Sequence, residues 1–89
     1  MNFEKVSLLL EKAIEEKKSN SYKLEEKTGL SRRYIRSILK GEKENGSKEA
    51  IEKILEALEL NKEERITIWA SWMYQKGFNE VAEFLNKHN

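Results

Sequence analysis

Residues 23–41, KLEEKTGLSRRYIRSILKG, have the pattern of two short helices joined by a tight turn. Gly29 falls between the halves, where a turn favours a residue that tolerates positive φ, and Ser31 is a good cap for the second helix. The inward positions of the two helices are Leu24, Thr28, Leu30, Ile35 and Ile38. The opposite face of the second helix then exposes Arg32, Arg33, Arg36 and Ser37. A basic helix set against another by a glycine turn predicts a helix-turn-helix, which enters a DNA groove.

The composition indicates a single all-α domain. The 89 residues include no proline and four glycines, and they are rich in Leu, Ile, Glu and Lys, which favour helices. A chain of this length has a modest core, so dimerisation would add useful burial. The absence of cysteine excludes disulfides and thiolate metal sites. The apolar run at residues 6–10 is too short for a signal peptide or a membrane span, and we expect a soluble, cytoplasmic protein.

Charge is unevenly distributed along the chain. Residues 17–48 contain ten cations and four anions, a net charge of +6, whereas the remaining residues together carry −5. A basic middle between acidic ends predicts a field that attracts a polyanion to one face of the protein. A lysine-rich helical surface is often only solvated, so charge alone leaves nucleic-acid binding and plain solvation both open.

Hydrophobic periodicity predicts a compact bundle of five to six helices, with the helix-turn-helix at helices 2 and 3. Ser47 is a plausible cap for helix 4, and Asn61 with Glu64 forms a capping-box pattern at the start of helix 5. Asn79 is a plausible cap for the last helix. The spans predicted for the first five helices are 3–18, 22–28, 32–40, 48–59 and 62–76.

Residues 24–41 resemble the helix-turn-helix of phage repressors and Cro proteins, the lambda-repressor-like family. The matching residues are Leu24, Gly29, Leu30, Ile35, Ile38 and the closing Gly41. The resemblance covers residues 6–60 and implies a DNA-binding core at 1–60, with 61–89 as a helical extension packed on it in one domain. Two residues depart from the family pattern: Ser21 stands where glutamine is common, and Glu25 where a small residue lets the helices approach. The Glu25 side chain must therefore lie along the surface, or the helices must open.

The DNA-binding residues are expected at the start of helix 2, along helix 3 and just after it. They are Ser21, Tyr22, Lys23, Arg32, Arg33, Tyr34, Arg36, Ser37, Lys40 and Lys43. The resemblance implies that Arg32, Arg33 and Ser37 face bases, with Tyr34 and Arg36 at bases or backbone. Arginine suits this role because its planar fork donates two hydrogen bonds to guanine. The amides that begin helix 2 can hold a phosphate, and the lysines after helix 3 can contact the DNA backbone.

Less specific interpretations of these residues stay open. Arg32 and Arg33 can be ordinary exposed charges, and Tyr22 can be a packing residue. The C-terminal part, which carries five of the eight aromatic residues, also allows more than one interpretation. Helix 5 has apolar residues on two sides, which predicts that one side meets another chain. We predict a homodimer with its interface at Ile68, Trp72, Phe78 and Phe84, although the tryptophans can instead complete the core or line a ligand pocket.

The sequence therefore predicts a transcriptional repressor that binds double-stranded DNA, at a palindromic operator, as a dimer. No cofactor, metal or membrane partner is expected. An enzyme is not expected either, because His88 is the only histidine and no glycine-rich loop offers a phosphate cradle. Two alternatives are an antitoxin that binds a toxin through its aromatic end and autoregulates its operon, and a helical protein-interaction module without DNA binding. Glu25, Glu42 and Glu44 favour the second of these.

Overall fold

Six α-helices build the fold in a computed structural model of the chain, which describes residues 3–42 and 46–87. They are α1 (Val6–Glu16), α2 (Ser21–Thr28), α3 (Arg32–Leu39), α4 (Lys48–Ala57), α5 (Lys62–Gln75) and α6 (Asn79–Lys87). The all-α prediction is confirmed. The predicted ends either coincide with the observed ones or differ by up to three residues, since caps rather than periodicity fix where a helix stops.

The core forms where the apolar faces of the first four helices meet. Burial of each large aliphatic side chain contributes roughly 1.5–3 kcal/mol, which is more than helix propensity supplies to helices this short. The part of α5 that faces this cluster adds Ile68. The completely buried side chains of this cluster are Val6, Leu10, Leu24, Ile35, Ile38, Ile51 and Ile54.

The turn between α2 and α3 is fixed by short-range hydrogen bonds. Gly29 has φ of +78°, and its amide donates to the Glu25 carbonyl at 2.9 Å. The Thr28 hydroxyl donates to the Leu24 carbonyl at 2.6 Å and accepts from the Leu30 amide at 3.1 Å. The left-handed conformation at Gly29 and these bonds together set the direction in which α3 leaves α2.

Helix α5 is joined to the first four helices by polar contacts as well as by packing. The Val6 amide donates to Gln75 Oε1 at 2.8 Å, so a residue at the end of α5 caps the start of α1. Trp72 Nε1 donates to the Gly46 carbonyl at 3.3 Å, which ties α5 to the segment before α4. The radius of gyration is 12.3 Å, close to the roughly 12 Å of a compact domain of this length.

The side chain of Ile68 lies inside the chain, and that of Trp72 is half-buried against the same core. Ile68 is 3% exposed and belongs to the core cluster, and Trp72 packs against that cluster. Helix α5 has apolar residues on two sides because it has two neighbours within the same chain, α1 and α6. The prediction of Ile68 as a dimer-interface residue is therefore wrong, that of Trp72 stays a prediction, and Phe78 and Phe84 are exposed.

Replacing Gly46 by alanine should destabilise the fold more than replacing Gly29. Both have φ near +78°, where a residue with a Cβ costs roughly 1–2 kcal/mol. A Cβ at Gly29 meets nothing within 4 Å, whereas a Cβ at Gly46 lies 2.8 Å from Cδ1 of the buried Ile38. We expect G29A to cost about 1 kcal/mol and G46A about 2–4 kcal/mol in urea unfolding, because overpacking adds to strain. Equal losses would contradict this contact.

Candidate DNA-binding interface

The orientation of α3 is fixed by two isoleucines on one of its faces. Ile35 and Ile38 are completely buried. Arg33, Arg36 and Lys40 are exposed, and their spacing of three and four residues places them on one side of the helix. Burial of the isoleucine face thus turns a row of cations towards solvent.

The first turn of α3 has two of its backbone donors satisfied by side chains. Ser31 Oγ accepts from the Tyr34 amide at 3.1 Å, which confirms the predicted cap. The Arg32 amide donates to Glu25 Oε2 at 3.0 Å, so a carboxylate from α2 caps the same turn. Because the amides at a helix start carry partial positive charge, a carboxylate there is favourable.

The other end of α3 is anchored to the segment that follows it. The Glu42 amide donates to the Ser37 carbonyl at 2.8 Å and the Gly41 amide to the Ile38 carbonyl at 2.9 Å, the pair of bonds that defines a Schellman motif. Tyr34 Oη accepts from the Ser47 amide at 3.3 Å, which links α3 to the start of α4. Helix α3 is thus held at both ends and along one face.

A surface groove runs beside α3. Its lining includes four cations and one carboxylate, so it is basic. The groove is lined by Tyr22, Ser31, Arg32, Arg33, Tyr34, Arg36, Ser37, Lys40 and Glu42.

Residues 10–67 match the sequence model of the Cro/C1-type HTH DNA-binding domain. The chain belongs to this family. The match begins in α1 and reaches into α5, so it covers the whole helix-turn-helix and the helices that support it. The resemblance to phage repressors and Cro proteins is confirmed. Comparisons with curated proteins and with solved structures gave no significant match.

Membership of the Cro/C1-type family makes double-stranded DNA the partner of this chain and makes the chain a DNA-binding regulator. Domains of this family are typically not enzymes. Within residues 3–42 and 46–87, none of the helices is long and apolar enough to cross a membrane.

Seven of the ten predicted DNA-binding residues line the groove, and two other described ones, Ser21 and Lys23, do not. Ser21 begins α2 just after its cap, Asn20, whose side chain accepts from the Lys23 amide at 2.9 Å. The Lys23 ammonium donates to the Lys18 carbonyl at 3.2 Å, so this side chain turns towards the end of α1. Lys43 lies outside the described residues.

Ser37 is not on the exposed face where the sequence placed it. Its relative exposure is 9%, and its hydroxyl donates to the Tyr34 carbonyl at 2.6 Å. The bond holds a short side chain against the backbone of its own helix, so Ser37 contributes to the floor of the groove. The expectation of an exposed Ser37 is therefore wrong.

Glu25 has a role in this Cro/C1-type domain that the sequence did not predict. Besides capping α3, its carboxylate lies 3.3 Å from Arg32 Nε, and the Arg32 guanidinium carbon lies 4.0 Å from the centre of the Tyr22 ring. The Glu25 side chain lies along the half-exposed surface, one of the two outcomes expected for it. A glutamate seven residues before an arginine at a helix start was the available signal, but the pairing depends on the angle between the helices.

Removing the Ser31 hydroxyl should destabilise the protein. Ser31→Ala leaves the Tyr34 amide without its acceptor, and loss of such a cap costs about 1 kcal/mol, within a range of roughly 0.5–2 kcal/mol. Ser31→Asn is the matched control, because asparagine caps a helix as well as serine does. Urea unfolding followed by circular dichroism measures both. Equal stability of the two variants would contradict the cap.

Proposed function

We propose that the chain is a sequence-specific transcriptional regulator that inserts α3 into the major groove of DNA. The observation that carries this proposal is the groove beside α3, whose lining includes four cations and two tyrosines but one carboxylate. A helix about 10–12 Å in diameter fits the major groove, which is about 12 Å wide. In such an arrangement, cations that meet phosphates supply affinity, and contacts to base edges supply specificity.

The position of each cation along α3 suggests its role. Residues near the start of a recognition helix reach base edges, so we assign Arg32 and Arg33 to bases. Arg36 and Lys40 lie further along the exposed side, and we assign them to phosphates. The amides of Ser21 and Tyr22, which begin α2, can donate to a phosphate oxygen at the positive end of that helix.

We further propose that the protein represses transcription by occupying a promoter. Occlusion needs only that the protein be bound where the polymerase must bind, and α3 supplies that binding. The same occupancy would account for autoregulation if the operator lay before the protein's own gene.

The aromatic face, formed by Phe78, Val81 and Phe84 in α6 and just before it, is proposed as the surface that pairs two chains. Phe78, Val81 and Phe84 follow one another at intervals of three residues, and they are 55%, 44% and 61% exposed. Exposed apolar side chains in a row are typical of a protein contact. A two-fold pair would present two α3 helices to half-sites about one helical turn apart, which is why we propose a palindromic operator.

The same aromatic face supports a second candidate function. An apolar surface that is exposed in the single chain can bind a different protein, as an antitoxin binds its toxin, while α3 regulates the operon. A module without DNA binding is the less favoured reading, because Glu42 is one carboxylate among four cations in the groove.

The double variant Arg33→Ala, Arg36→Ala should bind DNA much more weakly than a control with the same net charge. The control is Lys53→Ala, Arg65→Ala, which removes two exposed cations outside the groove. On a duplex selected from a random pool, we expect the α3 variant to lose about tenfold or more in affinity, since each good arginine–base pair is worth roughly 1–3 kcal/mol. Its affinity should also fall less steeply with salt.

Fluorescence anisotropy at two salt concentrations measures both properties. Equal losses in the two double variants would mean that net charge, rather than α3, carries binding. Failure of the parent protein to bind any duplex at low salt would contradict the proposal.

The parent protein should sediment at twice the 10.5 kDa of a single chain at micromolar concentration. Phe78→Glu with Phe84→Glu should reduce it to a single chain, because charged side chains cannot be buried against each other at a two-fold axis. Leu8→Glu is the matched control, since Leu8 is an exposed apolar residue on α1. A parent protein that sediments as a single chain would rule out the dimer and favour a different protein partner for this face.

A further inference from the structure

We propose that Glu25 is a positioning residue that, together with Tyr22, holds Arg32 in place to read a guanine. Glu25 would thereby set the sequence preference of the protein without touching DNA. This inference rests on the proposed function of α3 and assigns a specificity role to a residue of α2. It is carried by three contacts that converge on Arg32.

The Arg32 side chain is held from two directions. Its guanidinium carbon lies 4.0 Å from the centre of the Tyr22 ring, so one flat face is stacked on an aromatic side chain. Its Nε lies 3.3 Å from Glu25 Oε1. An arginine on a helix surface normally samples many rotamers, whereas this one has both its plane and its edge fixed.

Glu25 engages the backbone and the side chain of the same residue. Oε2 accepts from the Arg32 amide at 3.0 Å, while Oε1 faces Arg32 Nε. Both carboxylate oxygens are therefore committed to Arg32. The hydrogen bond to the amide fixes where α3 begins, and the ion pair with Nε sets the direction of the Arg32 side chain, so one carboxylate sets both.

The contacts with Tyr22 and Glu25 leave the two terminal nitrogens of Arg32 available to bind a base. The stack uses the flat face and Glu25 meets Nε, so neither contact uses the two terminal nitrogens of Arg32. A pair of parallel N–H donors matches the O6 and N7 acceptors of guanine in the major groove. Arg32 also lines the groove beside α3, next to the cations assigned to DNA.

Holding Arg32 in this way favours specificity over general affinity. A side chain that is already ordered loses less entropy when it binds, which strengthens a contact that needs exact geometry. The adjacent carboxylate also offsets the charge of Arg32, which weakens its attraction to phosphates of any sequence. Glu25→Gln should therefore have opposite effects on two affinities. The affinity for the selected site should fall, and the affinity for random DNA should rise.

The test compares Glu25→Gln with Glu26→Gln, which removes the same charge from the next residue, an exposed one outside the groove. Glutamine at position 25 retains an oxygen that can accept from the Arg32 amide, so α3 keeps its cap. Affinities are measured for the parent's selected duplex and for random duplex DNA at one salt concentration. We expect the ratio of the two to fall about tenfold in Glu25→Gln, as for one lost arginine–guanine pair, and to change less than about twofold in Glu26→Gln.

A measurement without DNA tests whether Glu25 and Tyr22 order the Arg32 side chain. In the parent, the Arg32 Nε–H group should give an ordered, slowly exchanging nuclear magnetic resonance signal, whereas that of the exposed Arg33 should be mobile. Glu25→Gln and Tyr22→Leu should each make the Arg32 signal as mobile as that of Arg33. This readout separates the two claims, because a parent that holds Arg32 but binds no DNA would refute only the proposed function, together with the reading role that depends on it.

Four outcomes would overturn the inference. A mobile Arg32 in the parent would show that Glu25 does not position it. An equal rise in affinity for selected and random DNA in Glu25→Gln would make Glu25 a simple repulsive charge. An equal fall for both DNAs, with lower stability, would make it a structural cap alone. A repeat selection with Glu25→Gln should return sites in which one guanine is no longer required, and an unchanged site would also contradict the proposal.

Discussion

Helix α3 has only eight residues, and its need for outside support governs the rest of the structure. Isolated helices shorter than about 12–15 residues are marginal in water, so α3 exists because other groups hold it. The buried Ile35 and Ile38 fix its rotation, and Ser31 with Glu25 satisfies its first amides. The bonds beyond Lys40 fix its other end. Each of these contacts also determines which side chains face solvent, so the stability of α3 and its presentation have the same origin.

The charges divide between two tasks in this account. Exposed Arg36 and Lys40 are assigned to phosphates, whereas the charge of Arg32 is offset by Glu25 and its side chain is assigned to a base. The acidic first and last parts of the chain together carry −5 against the +6 of residues 17–48. They leave the protein nearly neutral overall, with a formal net charge of +1, and so limit its attraction to polyanions on its other faces.

Local features of the fold could be predicted from the sequence, and features that depend on neighbours could not. Caps at Ser31 and Ser47 and the capping box at Asn61 were predicted because the donors and acceptors lie within three residues. Periodicity assigned apolar residues to α5 but could not identify its neighbours, so Ile68 was misplaced. A helical wheel gives the direction of Ser37 but not its bond to the Tyr34 carbonyl. Glu25 was recognised as unusual, yet its pairing with Arg32 needs the angle between α2 and α3.

The most direct test of the central claim, that the anchored α3 is the surface that meets DNA, is nuclear magnetic resonance mapping of the isotope-labelled protein. A duplex selected from a random pool is titrated into the protein, and the amide shifts are followed residue by residue. The account predicts the largest changes in α3 and at the start of α2, with α5 and α6 changing little. Changes concentrated in α5 and α6, or spread evenly over all six helices, would contradict it.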